Sequence, residues 1–302
     1  MIRRVLEAVP VLFIIVTLVF LLVYVAGDPV ASLLGDHATP EQVEALRHSL
    51  GLDRPLYVQY LDYIWHAIQG DFGVSYRYNQ PALGLVLDRL PVTLTLAVWG
   101  IVVAIVLSVP SGVYLAVNRG KKIDTVLSSV AVFGKAMPTF WLGIMLILLF
   151  AVTLRLVPVS GSGSWQSLIL PSVSIAIALA AEIMMLVRSS VIEELNKDYI
   201  RTARGKGLPE AVILYGHALR NAFVPVVSII LLLFTSLLGG VIVTETVFAW
   251  PGMGLLLVNS VSNRDLPVVQ ASVFVIAVMV ILVNIVGDVV FRLADRRIGV
   301  KG

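Results

Sequence analysis

The sequence predicts an all-α membrane protein: a bundle of six transmembrane helices with both termini in the cytoplasm. Three observations carry this. Hydrophobic residues fill 58% of the 302 positions and charged residues 14%, with a mean hydropathy of +0.95. A soluble domain is nearer half apolar and a quarter charged, so this chain has too little polar surface to cover itself in water. Second, six stretches can cross a hydrocarbon core of about 30 Å, which takes roughly 20 helical residues. Third, basic residues concentrate in alternate connections. The chain has no cysteine, hence no disulfide framework or thiolate metal site, and its net charge of +3 is too small to imply nucleic acid.

The spans are residues 9–26, 92–117, 126–156, 168–187, 222–247 and 267–291. The first follows Arg3 and Arg4 and so resembles a signal peptide. Its apolar core exceeds the usual h-region of roughly 7–15 residues, and no strong cleavage signal follows Ala26, so it reads as an uncleaved span. The third is over-long, which predicts a tilted helix or ends that leave the membrane. Orientation follows from Lys and Arg. Arg3 and Arg4 precede the first span, Arg119, Lys121 and Lys122 fill the second connection, and the fourth connection is basic from Arg188 to Arg220. The tail adds Arg292, Arg296, Arg297 and Lys301, whereas the long first connection sets four arginines against eight acids. Both termini and the fourth connection are therefore cytoplasmic.

Residues 27–91 form an extracytoplasmic segment too long for a plain loop. Thr39, Pro40 and Gln42 spell an N-cap, a first-turn proline and a capping box. Val43, Leu46 and Leu50 then share a face, and Gly51 stops the helix. A second amphipathic helix follows, with Leu56, Tyr60, Ile64 and Ile68 at four-residue spacing and Gly70 at its end. Two such helices suit the outer membrane face, either packed on the bundle or as a landing surface for an extracytoplasmic partner.

Catalytic signatures are absent. His37, His48, His66 and His217 are scattered without H-E-x-x-H, and neither G-x-S-x-G nor G-x-x-x-x-G-K-[ST] occurs. Gly134–Lys135 is followed by Ala inside a span and cannot cradle phosphate. The chain reads as a path or scaffold, not an enzyme, with no catalytic residue and no metal site.

Charge and glycine instead gather in the cytoplasmic connection, residues 188–221. Leu208, Pro209 and Glu210 read as a helix start, with a carboxylate near the positive dipole end. Val212, Ile213, Tyr215 and Leu219 give it a broad apolar side. Such a short helix between two spans could dock in a groove of a soluble partner or lie on anionic lipid.

The residues then point to a family. DYIRTARGKG at 198–207 and HALRNAFVPV at 217–226 resemble the conserved cytoplasmic loop of ABC-importer permeases, E-A-A, three residues, Gly, and a closing I-x-L-P. Arg201, Thr202 and Ala203 stand at the E-A-A positions, Gly207 at the glycine, and residues 217–220 where I-x-L-P would fall. The first two E-A-A residues and the last proline are missing, departures expected of the dipeptide/oligopeptide/nickel branch. GDP at 27–29, GLDRPLYVQY at 51–60, GDFGVS at 70–75, PTFWLGI at 138–144, ILPS at 169–172 and ETVFAWPGMG at 245–254 extend the resemblance along the chain.

That resemblance implies one permease domain over residues 1–302 in the bacterial inner membrane. Its partners would be a second homologous permease subunit, two cytosolic ATPases that hold ATP and Mg, an extracytoplasmic substrate-binding protein, and lipid. It implies that residues 203–207 lead into a coupling helix on an ATPase, so the coupling set is Ala203, Arg204, Gly205, Gly207, Leu208, Pro209, Glu210, Tyr215 and His217. The cargo it implies is di- or oligopeptide, with nickel chelates, glutathione or another small solute as alternatives. Trp250, Pro251, Gly252 and Gly254 mark an external loop. Trp250 suits a membrane interface, and the loop reads unaided as a re-entrant turn, by resemblance as a gate or scoop near the binding protein.

An ion-coupled secondary transporter would show internal repeats with polar midplane helices, and no convincing repeat is present. Lys135, Glu182 and Asp288 are nonetheless intramembrane charges. At about 1.5 Å per residue Lys135 lies roughly 13–14 Å into its span, and Glu182 roughly 9 Å from the cytosolic end of the next. The two can form a structural pair, or Lys135 can face the pathway and attract a substrate carboxylate. Asp288 has Arg292 one turn on.

Overall fold

The structure, a computed structural model, describes residues 2–25, 30, 34, 39–49 and 51–294. Its helices are α1 (Ile2–Val25), α2 (Pro40–Ser49), α3 (Leu56–Ile68), α4 (Ala82–Val117), α5 (Lys122–Ala136) and α6 (Thr139–Leu146). They continue with α7 (Ile169–Leu195), α8 (Asp198–Gly205), α9 (Leu219–Val247), α10 (Met253–Ser262) and α11 (Leu266–Ala294). Seven-residue π-helical segments extend α6 (Ile147–Thr153) and lead into α9 (Val212–Ala218). Among the described residues no strand forms; the backbone makes one isolated antiparallel bridge, Val74 to Pro81.

The chain divides into two compact units, Met1–Thr93 with Pro251–Ile281, and Leu94–Trp250 with Leu282–Gly302. In the first, the capping box forms as expected: the Thr39 N–H donates to Gln42 Oε1 at 3.0 Å, and the Gln42 N–H to Thr39 Oγ1 at 3.3 Å. Gly51 and Gly70 end α2 and α3 with φ of +67° and +76°. Leu50 lies outside the described residues. The inward face of α3 differs from the expected one. Tyr60, Tyr63, Ile64 and Ala67 turn in, with Tyr60 and Tyr63 against Phe20 of α1, while Leu56 and Ile68 stand exposed. Four-residue spacing finds an apolar face, but α3 has two, and packing on α1 selects between them.

In the second unit α7 is central. Ala104, Val113 and Ala116 of α4 and Ala222, Val226 and Leu233 of α9 share one core with Ala176, Ile183, Val187 and Val191 of α7. Close approach of α4 to α7 requires glycine. A Cβ on Gly112 would lie 2.7 Å from the Met184 carbonyl oxygen, and one on Gly100 would lie 2.6 Å from Ile175 Cγ2.

Among the described residues, four helical stretches are long and apolar enough to cross a membrane: Ala82–Val117, Trp165–Leu195, Val212–Val247 and Leu266–Gly287. The expected over-long third span is not one continuous tilted helix. It breaks into Lys122–Ala136 and Thr139–Thr153, bent by 103°. Pro138 supplies the cause: its ring excludes Met137 from helical geometry, and Met137 has ψ 134°. Counting the bent pair as one gives five spans. The remaining expected span, residues 9–26, has a described apolar run of Val9–Leu21 and extends into residues whose side chains are not described.

Candidate functional site

The connection after α7 is a compact knuckle. Lys197 is extended, α8 follows, and the chain reverses at Gly207 with φ +76°. The Leu208 N–H donates to the Ala203 carbonyl at 3.3 Å and the Gly207 N–H to that of Arg204 at 2.9 Å. This is the paired 6→1 and 5→2 pattern of a Schellman cap, whose left-handed position strains any residue with a Cβ. Gly205, by contrast, is the last residue of α8 in ordinary helical geometry with open space around it. Across the turn, Arg204 Nε and Nη2 donate to the Glu210 carboxylate at 2.7 and 3.2 Å. The guanidinium holds the Glu210 carboxyl below its ordinary range.

Ile200 and Ala203 on one side of α8 pack on Ile213, Ala218 and Leu195. Tyr199 Oη donates to Glu194 at 2.6 Å and accepts from Asn221 Nδ2 at 3.1 Å, tying α8 to both α7 and α9. Arg201, Thr202, Arg204, Lys206, Leu208, Pro209 and Glu210 remain exposed, as do Val212 and Tyr215, while His217 is half-buried. Of the coupling residues expected from sequence, the knuckle therefore presents most outward and turns Ala203 in. A second difference concerns the helix beginning near Leu208–Glu210. It is not a separate short element, because the π segment at Val212–Ala218 carries it directly into α9. The free-standing short helix is α8, before the glycine.

Two ion pairs join α5 to α7. Arg188 Nε and Nη2 donate to the two Asp124 carboxylate oxygens, each at 2.7 Å, and the Gly120 N–H donates to Asp124 at 3.0 Å. The guanidinium and the Gly120 amide together satisfy the Asp124 carboxylate, which is buried. Sequence reasoning missed this pair, counting Arg188 only as loop charge. Lys135 and Glu182 do meet, Nζ donating to Oε2 at 2.8 Å. The side chains of Asp288 and Arg292 lie outside the described residues.

At the other end of α9 the expected external residues fall in different environments. Trp250 is 4% exposed, so its indole is packed inside rather than lipid-facing, and its backbone N–H donates to the Glu245 carbonyl at 2.8 Å. The turn itself is Ala249, with φ +45°. Pro251 and Gly252 lead not into a loop but into α10, whose Met253 N–H is capped by Thr93 Oγ1 at 2.8 Å. Gly254 is buried in its first turn. Arg89 Nη1 donates to the Pro251 carbonyl at 3.1 Å.

Residues 108–300 match the family described as binding-protein-dependent transport system inner membrane component, and residues 1–97 match its N-terminal region. The chain belongs to this family. It is 42% identical over 301 residues to the glutathione transport system permease protein GsiC of Escherichia coli K12, covering 99% of this chain and 98% of that one. The Shigella dysenteriae serotype 1 protein of the same name matches equally. Among solved structures, an inward-facing MetNI methionine ABC transporter shares the fold, with a TM-score of 0.61 at 19% identity over 70% of this chain and 96% of that one. An amino acid ABC transporter solved with histidines gives 0.54 at 14% identity over 69% and 94%. This permease is a subunit of an ABC importer, a multi-pass protein of the bacterial inner membrane. ATPase and substrate-binding-protein partners go with the family in general.

Proposed function

We infer that this permease pairs with a second, homologous permease subunit to enclose the pathway, with two cytosolic ATPases below and a binding protein outside. ATP and Mg would bind on the ATPases, and residues 198–210 would dock one of them. What supports the docking role is the knuckle's build. A small helix is fixed to both adjacent spans by Tyr199 and by the Ile200–Ile213 contact, so a push on it reaches α7 and α9. Its free face offers Arg201, Arg204 and Lys206 beside apolar Leu208 and Val212, a mixed surface suited to a protein groove.

The cargo is a small peptide, of which glutathione, a tripeptide, is one. The identity of 42% along nearly the whole chain to a glutathione permease carries this reading. Membership of the family leaves no reason to retain the ion-coupled alternative. Uptake of labelled glutathione into proteoliposomes holding the assembled importer tests the cargo. Glutathione is expected to be carried and to be competed by di- and tripeptides. Carriage of a nickel chelate with indifference to glutathione and every peptide would overturn it.

A further inference from the structure

We propose that α3 is an interfacial helix that embeds one side in the outer leaflet of the bilayer, so that its exposed apolar face contacts lipid rather than protein. Three sectors run along it. At about 100° per residue, Tyr57, Ile68, Leu61 and Trp65 fall in one arc of roughly 80°, and Asp62, His66 and Gln69 in the next, of roughly 60°. Tyr60, Tyr63 and Ala67 occupy a third arc of roughly 60°. The structure separates them by environment. The third arc packs on α1, where Thr17 and Tyr60 hydroxyls lie 2.6 Å apart and Phe20 faces both tyrosines at 5.2 and 5.7 Å. The first arc stands open: Leu61 is 63% exposed, Trp65 64% and Ile68 76%. The second arc is exposed and polar.

A helix wholly in water would not carry so large an apolar arc, and one wholly in hydrocarbon could not carry Asp62 and His66. A helix lying at the boundary satisfies both, its apolar arc dipping about 5–10 Å into the acyl region. Its support sets the same level. α1 exposes Phe13, Ile14, Leu18 and Leu21 along the stretch on which α3 sits, so the apolar band of that span extends to α3's position. The composition of the arc agrees, since Tyr and Trp favour the headgroup boundary. α3 contains no Lys or Arg, so the contact is with acyl chain and zwitterionic headgroup and needs no anionic lipid.

The inference rests on residues 27–91 lying outside. Because the chain contains no cysteine, single variants Leu61→Cys, Trp65→Cys, Asp62→Cys and His66→Cys can each carry a nitroxide label in the assembled importer in phosphatidylcholine vesicles. Collision with oxygen, which partitions into hydrocarbon, is compared with collision with a water-soluble nickel chelate added outside. The expected oxygen-to-nickel ratio is several-fold higher at 61 and 65 than at 62 and 66, and unchanged when anionic lipid is added. Labels at 61 and 65 that are immobile and shielded from both reagents would show a protein cover and overturn the inference. So would shielding that begins only when the binding protein is added, or nickel access equal at all four sites. Labels at 62 and 66 reached by nickel only from inside would instead refute the topology.

Discussion

Replacing Gly207 and Gly205 by alanine, one at a time, should give opposite results although the two glycines are two residues apart. Gly207 holds φ +76° with nothing within 4 Å of where a Cβ would stand, so alanine there meets no clash and only a backbone penalty. The left-handed conformation costs an L-residue about 1–2 kcal/mol, a roughly 5- to 30-fold shift toward an open turn. Gly205 ends α8 with equally open surroundings, and alanine there favours the helix by up to about 1 kcal/mol. The Gly207 and Leu208 amides, which close the cap, report the opening directly. Hydrogen exchange in the peptide containing them should accelerate about 5- to 30-fold in Gly207→Ala and stay equal or slow in Gly205→Ala. Gly207→Asn should fall between, because asparagine tolerates the left-handed region. Substrate-stimulated ATP hydrolysis by the assembled importer should follow the same order. Exchange in Gly207→Ala as slow as in the parent chain would refute the reasoning.

Other perturbations follow the same physics. Gly112→Ala puts a Cβ 2.7 Å from a backbone oxygen that cannot swing aside, so it should lower the thermal midpoint by overpacking worth about 1–3 kcal/mol, while Gly239→Ala, with nothing within 4 Å, should not. Lys135→Met strands Glu182 at a depth where a lone charge costs about 2.5–3.5 kcal/mol, so assembly should drop and Glu182→Gln should restore it; normal assembly with lost transport would place Lys135 on the pathway instead. Asp124 accepts two Arg188 donors at 2.7 Å, so Asp124→Asn loses the ionic pair and leaves the guanidinium without its carboxylate. The thermal midpoint of Asp124→Asn should therefore fall below that of the parent chain. For sidedness, an impermeant thiol reagent added outside should label cysteines at Ser162 and Asn263, both exposed, and spare one at Thr202.

What the sequence disclosed was mostly local. Thr39 and Gln42 cap each other three residues apart, and Gly51, Gly70 and Gly207 each end a helix within a turn, so composition alone locates them. The cytoplasmic knuckle was legible for the same reason, though not that α8 is its separate helix. Nothing in residues 208–219 signals that the following helix will continue into α9 rather than stop. Long-range pairing was less visible. Asp124 and Arg188 are 64 positions apart, and each passes for a solvated end-of-span charge until α5 and α7 are packed together. Lys135 and Glu182 could be matched because charges inside apolar spans have few partners to choose from. Burial also escaped: Trp250 follows an apolar span as an interfacial anchor would, yet it is packed inside.

Coupling through the knuckle requires that its exposed side be the ATPase contact. Thr202→Cys and Leu208→Cys in the cysteine-free chain, with Ser162→Cys as control, can be treated with a short thiol cross-linker in the assembled importer. Cross-links from Thr202 and Leu208 to the ATPase, altered by ATP and absent at Ser162, are the predicted result. Free reaction of Thr202→Cys and Leu208→Cys with cytosolic thiol reagents in the full complex, and no cross-link to the ATPase, would contradict it.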